Sequence, residues 1–569
     1  MSLPLLILAS LWACADVGGT VADAQGRRDT LVIGVPSDAK NMLYVVSSSA
    51  SDSAIIEATT SSLFDSDFSC ALRYTPEMAT EWSFSEDGTR IDMTLRDDLT
   101  WEDGTRLTAR DVAATYALVA DPKVGSPRLD MTEHMRPDAR PHVIDDTHLR
   151  WEFTHAYDRT TMLAHTSLTP VPAHRLRDAD PGSLRSHPLN ALAPLSSGPW
   201  RVATWEKNAR LVLAPNDAWT GPVEDRPRLR RVIFKVLPEY ATRLVELENG
   251  AIDLMEGVLV ADADKLATEH PEISLHRRGW RSMDYVAWNS LDPADVRATA
   301  GTRAKGQVPD PTRVKPHPIF ADREVRRALA GALDVERMIA DLLTSRVTGE
   351  VYGRPAIGTI TPALCGVHAD DVAPVPYAPD AARARLAELG WRDTDGDGIL
   401  DKAGQPMRFT LLLNSGNARR EKAAVLVQAQ LRRVGVDVQL DKVESNAFFE
   451  RLRRRDYEAA LSGWSAGLFV DPGSIWGEGS AFNFTSYRNP RVTALIAQGL
   501  AEPDPERARA TWQELQRVIH EDQPYAFLYW MDEIVAVHDR FQDTTIDVLS
   551  PYRRLNRWSV PADRVKYRY

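Results

Sequence analysis

Apolar positions along the 569-residue chain follow two periods. Residues 30–35 (Thr-Leu-Val-Ile-Gly-Val) form a compact apolar run before Pro36, which predicts a buried strand. Ile91, Met93 and Leu95 alternate with polar neighbours, and Leu99 and Trp101 continue the alternation of a half-buried strand. The pentapeptide Glu-Asp-Gly-Thr-Arg occurs at 86–90 and at 102–106. Asp-Gly is strong turn chemistry, so the stretch predicts a β-meander.

Elsewhere the period is helical. Val112, Tyr116 and Val119 share a face after Thr108, with Asp111 placed for a capping box. Ile55, Ile56, Leu63 and Phe64 suit a helix start after the small-residue segment Ser47 to Ser51. Val325, Leu329 and Ala332 follow Asp322, and Asp334 caps a helix expected from Val335 to Leu343. Ala424, Val427, Leu431 and Val434 mark another, which Gly435 ends before the alternating Val436, Val438 and Leu440. Ala508, Trp512, Leu515 and Ile519 mark a further helix, and Tyr525 to Trp530 and Ile534 to Val537 read as two strands. Helices alternating with strands predict α/β domains. Proline-rich spots at 170–172, 194–199 and 309–318 predict boundaries or long loops.

Composition narrows the class. The length suggests roughly two to four domains, and 43% hydrophobic with 26% charged residues is a globular balance. With 68 basic against 80 acidic residues the net charge is −12, which argues against nucleic acid as a partner. Three cysteines exclude a disulfide scaffold. In an oxidising compartment Cys70 and Cys365 pair, or both remain buried thiols; their spacing does not decide. The uncharged run from Leu3 to Cys14 is too short to span a bilayer and reads as the core of an export signal within residues 1–24. Two cleavage points compete. Leu11-Trp12-Ala13-Cys14 resembles a lipobox, which makes Cys14 a lipid attachment site, and Ala22-Asp23-Ala24 is an ordinary signal-peptidase site. With no second apolar run the chain is not expected to be a permease; it is expected as a periplasmic or cell-envelope protein, soluble or surface-tethered, the alternative being a cytoplasmic chain with an apolar N-terminal tail.

Candidate chemistry is sparse. Ser37-Asp38-Ala39-Lys40 matches the S-x-x-K of penicillin-recognising enzymes but lacks partner motifs, so chance explains it. No nucleophile elbow, phosphate loop or zinc motif occurs. Asp393, Asp395, Asp397 and Asp401, with the Ile399 carbonyl, match a calcium loop, although Gly404 stands where a bidentate Glu belongs. The alternative is a tight acidic turn. Asn483-Phe484-Thr485 is an incidental glycosylation sequon in such an export context.

Several blocks in order carry a resemblance. Tyr74 to Trp82 followed by Asp87-Gly88-Thr89, and Trp101-Glu102-Asp103-Gly104-Thr105 through Asp111-Val112, lead it. Ser197-Gly198-Pro199-Trp200-Arg201-Val202, Asn249 to Asp253, and Asn289 with Arg323 to Leu329 continue it. Gly463-Trp464 with Asp471-Pro472, then Asn483 and Tyr487-Arg488-Asn489-Pro490, complete it. From about Leu31 to about Phe541 the chain resembles the extracellular solute-binding proteins, family 5, the dipeptide- and oligopeptide-binding components of ABC transporters.

The resemblance implies a periplasmic-binding-protein-like (class II) α/β fold, two-lobed with an additional third domain. Domain I would comprise 25–48, 194–286 and 535–569, the inserted domain II 49–193, and domain III, the second lobe, 287–534. It also implies a monomer without catalysis that closes on a peptide or peptide-sized solute and delivers it to permease subunits. In peptide-binding members the Gly-Trp stretch resembles G-W-x-x-D, whose Asp meets the peptide ammonium. Here Gly467 stands at that place, which puts free-amino peptides in doubt, because an unpaired buried ammonium is costly. Asp471 either substitutes for that Asp or merely ends the loop. Trp464 and Tyr487 are expected as cleft walls, Ser465 and Asn483 as polar contacts, and Ser47, Ser48 and Ser49 in the loop facing the cleft. The rival readings are an exported hydrolase and a binder of oligosaccharides, opines or metal chelates.

Overall fold

The computed structural model describes residues 29–133, 135–136, 141–303, 307–468 and 470–567. The expected export signal and Cys14 lie outside the described residues. Among these residues no helix is long and apolar enough to cross a membrane.

One eleven-stranded sheet runs through the molecule. At its first end Trp200–Glu206, Arg210–Pro215, Arg231–Val236, Thr30–Val35 and Leu254–Glu256 lie side by side. At its other end lie Ala459–Ser465, Arg408–Asn414 and Asp437–Val443. Two long antiparallel strands, Ile273–Trp288 and Tyr525–His538, join the ends and belong to both, and Gly353–Pro355 pairs with the second of them. The first lobe is built around the first set and the second lobe around the other. The domain limits expected at 286/287 and 534/535 therefore fall inside continuous strands. Within 49–193 a separate sheet orders Ala79–Phe84, Arg90–Leu95, His148–Glu152 and His142–Val143, beside a hairpin of Phe64–Phe68 and Leu72–Pro76.

Local chemistry places these elements. Thr108 and Asp111 form the capping box of helix Ala109–Ala120. Asp322 and Asp334 cap Arg323–Gly331 and Val335–Leu342. Asn417 caps the sixteen-residue helix Ala418–Arg433 through the Arg420 amide. The predicted meander differs in its second turn. Arg90–Leu95 pairs with His148–Glu152, whereas Leu99 and Trp101 lie in a tight loop closed by Trp101 N donating to Thr105 O at 2.8 Å. Trp101 is buried there, so its apolar position reports burial under the loop and not strand alternation. Tyr525–His538 is one strand where two were expected, because the interrupting acids are partnered: Asp532 accepts from the Trp280 amide at 2.9 Å and Glu533 from Arg278 at 3.0 Å.

Leu31, Ile33, Trp200, Phe234, Val535 and Trp558 form the first lobe's core, and Trp288, Phe320, Leu329, Phe409 and Leu431 form part of the second's. A further apolar cluster runs without break from Trp101, Tyr116 and Trp151 to Trp476, Phe484 and Tyr525. It welds the inserted domain to the second lobe; each such side chain contributes about 1.5–3 kcal/mol on burial. Cys70 and Cys365 form a disulfide, which resolves the open question of their pairing.

Candidate functional site

Between the lobes lies a cleft of about 590 Å³. The first lobe lines it with Ser37 and Asp38 after the first strand, with Ser49, Ser53, Ala54 and Glu57 on one side of helix Ala50–Thr59, and with Tyr240 and Arg243 at the start of Tyr240–Glu248. The second lobe contributes Asn414, Gly416 and the first turn of Ala418–Arg433, then Asn446, Phe449 and Gly463 to Ser465. Arg278, Arg281, Ser282 and Glu533 form the floor, on the two long strands. Leu549 to Tyr552 close one side.

The floor is a charge network. Arg278, 8% exposed, reaches Glu256 at 3.3 Å and Glu533 at 3.0 Å. Burial alone would raise Glu533, yet Arg278, the hydrogen bond from Ser282 and the nearby Arg419 and Arg420 hold it below the usual carboxylate range. Glu256 has less compensation, so burial leaves it raised despite Arg278 and the hydrogen bond from Tyr552. Arg281 is held by the carbonyls of Ala466 at 3.1 Å and Val548 at 3.0 Å; burial, with repulsion from Arg278, pulls it down to about 10. Part of the Glu57 side chain is open to the cleft, but the surrounding protein desolvates it and raises it, against the 2.6 Å hydrogen bond from Ser550.

The opposite wall is cationic. Asp284 is fully buried and accepts from Arg419 at 2.9 Å and Arg420 at 2.8 Å. Burial works against its charge, but the two guanidinium groups hold it below the usual carboxylate range. Two cations share one carboxylate at the mouth of a helix N-terminus, so this wall presents net positive charge and favours an anionic group. Gly463 lets Arg420 lie flat on the strand: a Cβ there would stand 2.2 Å from Arg420 Nη2 and 2.6 Å from the Met283 carbonyl. Gly463→Ala is expected to cost about 1–3 kcal/mol as overpacking, read as a lowered melting temperature; an unchanged midpoint overturns this account.

The lobes also touch directly. Arg243 Nη2 donates to Gly416 O at 2.8 Å, while Nη1 donates to Leu237 O at 2.6 Å and Pro238 O at 2.9 Å. Arg453 Nη1 donates to Ser48 Oγ at 3.0 Å.

Of the residues expected from the sequence, Ser49, Trp464 and Ser465 line this cleft. Trp464 stacks on Phe484 with centroids 5.5 Å apart and donates to Tyr525 OH at 3.3 Å. Ser49 is also the helix cap, accepting from the Asp52 amide at 3.1 Å. The others lie elsewhere. Ser47 is buried and donates to Tyr44 O, and Ser48 meets Arg453. Gly467 is exposed, outside the lining. Asp471 caps a short turn through the Gly473 amide at 2.9 Å and lies 3.4 Å from the buried His165, so it does not replace the missing carboxylate in the cleft. Asn483 bonds the Gly477 and Tyr487 carbonyls at 3.0 and 2.9 Å, and Tyr487 donates to Asp522 at 2.5 Å; both brace the second lobe. The carboxylates of Asp393, Asp395 and Asp397 converge within 4.8 Å at the surface. Asp401 instead accepts from the Thr394 amide and hydroxyl, and Asp393 from the amides of Gly396 and Gly398, so the loop is closed by its own hydrogen bonds.

Sequence reasoning passed over Glu57, Arg278, Arg281, Arg419 and Arg420. Singly, each reads as a solvated charge. The available signal was the adjacent arginine pair one residue after an Asn cap, which sets two guanidinium groups on the first helical turn.

A mixed α/β sheet hinged by two continuous strands, with a polar cleft at the hinge, defines a two-lobed solute-binding protein. Residues 73–485 match the family model for bacterial extracellular solute-binding proteins, family 5. The chain belongs to that family. It is 27% identical over 461 residues to the oligopeptide-binding protein AppA of Bacillus subtilis, covering 80% of this chain and 78% of that one. It is 24% identical over 474 residues to the nickel-binding periplasmic protein of Escherichia coli, covering 81% and 82%. The structure of Bacillus subtilis AppA in complex with a nonapeptide superposes with a TM-score of 0.81 at 24% identity, over 94% of this chain and 99% of that one.

Proposed function

We propose that the cleft captures a short zwitterionic peptide and that the closed protein delivers it to the permease of a peptide-type ABC importer. The opposed charge of the cleft walls carries this reading. Arg419 and Arg420 with the helix N-terminus suit a carboxylate, and Glu57 on the facing wall suits an ammonium group. The ammonium partner missing at Gly467 is thereby supplied from the first lobe. The volume falls in the range of about 300–1,000 Å³ that holds drug-sized ligands, which favours short peptides over long ones. The protein acts as a binder without catalysis, and Cys14 tethers it to the membrane where the lipobox is processed.

A thermal-shift screen tests the reading with free tripeptides, their N-acetylated and C-amidated forms, oligosaccharides and nickel–histidine. Free peptides are expected to raise the melting temperature, and either blocked form to raise it less. Shifts from the sugars or the chelate alone overturn the peptide assignment, and turnover of a chromogenic substrate overturns the binding role. Glu57→Gln is expected to weaken free-amino peptides by about tenfold, or about 1.4 kcal/mol, and to leave N-acetylated ones unchanged. Because the Glu57 pKa is raised, the empty cleft holds this group protonated to higher pH than an ordinary glutamate. Affinity for free-amino peptides should therefore rise with pH as Glu57 ionises. A calorimetric pH series on wild type and Glu57→Gln checks this; parallel profiles for the two proteins overturn the assignment.

A further inference from the structure

Among the arginines that line the cleft, Arg281 stands apart. Arg278 faces Glu256 and Glu533, and Arg419 and Arg420 share Asp284. Arg243 meets only carbonyls, but it is 4% exposed and its head is spent on the contact between the lobes. Arg281 is half-buried and, among the described residues, also has carbonyls as its only hydrogen-bond partners. A guanidinium carries five N–H donors. Nε of Arg281 donates to Ala466 O at 3.1 Å, and Nη1 donates to Val548 O at 3.0 Å and to Leu549 O. These bonds fix the plane of the head. The hydrogens of Nη2 meet no acceptor among the described residues, and that nitrogen is open to the cleft. Carbonyl dipoles satisfy donors but leave the net charge uncancelled, which is costly in a half-buried place. The neighbouring acids do not cancel it: Glu533 is already paired with Arg278 and bonded by Ser282, and burial holds Glu57 toward its neutral form.

The segment Leu549–Ser550 sets where this free donor lies. The Leu549 carbonyl takes Nη1 of Arg281, and the hydroxyl of the next residue, Ser550, binds Glu57. The partner suited to an ammonium group and the unpaired cation are therefore neighbours around one short stretch of backbone. We propose that Arg281 is a specificity-determining residue that selects peptides whose first residue carries an acidic side chain. Nη2 donates to the side-chain carboxylate of that residue while its α-ammonium meets Glu57, and Arg419 and Arg420 remain for the terminal carboxylate. The proposal rests on the peptide reading above and adds which peptides are preferred. An amide in place of the side-chain carboxylate keeps the shape and loses the charge, so acid and amide are the discriminating pair.

Calorimetric titration of the full chain with paired tripeptides provides the test: Glu-Ala-Ala with Gln-Ala-Ala, and Asp-Ala-Ala with Asn-Ala-Ala. In at least one pair the acid is expected to bind about tenfold more tightly than its amide, the scale of one charge-assisted hydrogen bond. Equal affinities in both pairs, or tighter binding of both amides, overturn this proposal and leave the peptide reading standing. Ala-Ala-Glu and Ala-Ala-Gln control for place: a preference for the acid there and none at the first position overturns the assignment. Absence of binding by every peptide overturns the peptide reading, and this proposal with it. Arg281→Met keeps the apolar stem and removes the charge, and it is expected to bring the acid-to-amide ratio to within about twofold. A role confined to bracing Ala466 against Val548 would weaken acid and amide alike and leave the ratio as in wild type, which overturns the proposal. The wild-type pairs keep the test decisive where the variant fails to fold.

Discussion

Asp284→Asn is expected to lower the stability of the second lobe by about 3–5 kcal/mol at neutral pH. The carboxylate is fully buried and is the shared partner of Arg419 and Arg420, whose side chains are 11% and 16% exposed. Removing its charge leaves two nearly buried guanidinium groups facing each other with one neutral acceptor between them. The pH dependence fixes the mechanism. Because the folded-state pKa lies below the ordinary value, the stabilisation is fully present above the unfolded-state pKa. It is lost as pH falls through the depressed pKa. The gap between wild type and variant should therefore be widest near neutrality and should close in acid. Urea midpoints across an acid-to-neutral series check this. A gap below about 1 kcal/mol at neutral pH, the level of an exposed ion pair, or one that does not shrink in acid, contradicts the account. The same variant is expected to lose affinity for the peptides found by thermal shift, because the arginine wall loses its fixed geometry.

Gly416→Ala should separate a stability effect from a closure effect. Gly416 has φ +83°, a conformation costing an alanine about 1–2 kcal/mol in whichever state the loop keeps it. A Cβ at this position would also stand 2.6 Å from the carbonyl oxygen of Pro238, which belongs to the other lobe. That oxygen is backbone and is already bonded by Arg243, so it cannot swing aside. The clash exists only when the lobes are together. The backbone penalty is expected as a lowered melting temperature of the empty protein. The clash is expected as at least a tenfold loss of affinity, about 1.4 kcal/mol, beyond any change in stability. Calorimetric titration with the best peptide of the thermal-shift series measures it. Affinity within twofold of wild type would show that this contact does not survive in the ligand-bound state.

Much of the scaffold is legible in the sequence because its signals are local. The capping box of Thr108 and Asp111, the caps at Asp322 and Asp334, and the apolar stripes of Val427/Leu431 and Trp512/Leu515 each act within a turn or two. What the sequence hides is long-range pairing. Tyr525–His538 looks broken at Asp532 and Glu533, and only their partners Trp280 and Arg278, some 250 residues away, make those charges tolerable inside a strand. The cleft is hidden for the same reason. Trp464 and Ser465 were accessible through a recognisable motif. Arg419 and Arg420 acquire meaning only when Asp284 arrives from another strand. Asp471 and Tyr487 lie in equally recognisable motifs, yet their side chains serve packing between domains and within the second lobe.

The break in register between the two long strands has a consequence for where this chain tolerates a change of length. Arg278 pairs with Glu533 and Ser282 with Met531, so four steps on one strand match two on the other. The surplus is an even number. Side chains alternate faces with a period of two, so an even surplus returns the strand to its original parity beyond the irregularity. Arg278 and Ser282 therefore both face the cleft, although a kink with Trp280 at φ +51° separates them. A second irregularity follows at once: Asp284 pairs with Tyr529 and Tyr285 with Phe527, one step against two, so the same pair of strands also absorbs an odd surplus as a local bulge. Length changes at this hinge are thus taken up inside the irregular turn around Trp280, whose neighbour Arg281 also faces the cleft, and a library of one- and two-residue deletions would read their cost to the cleft directly.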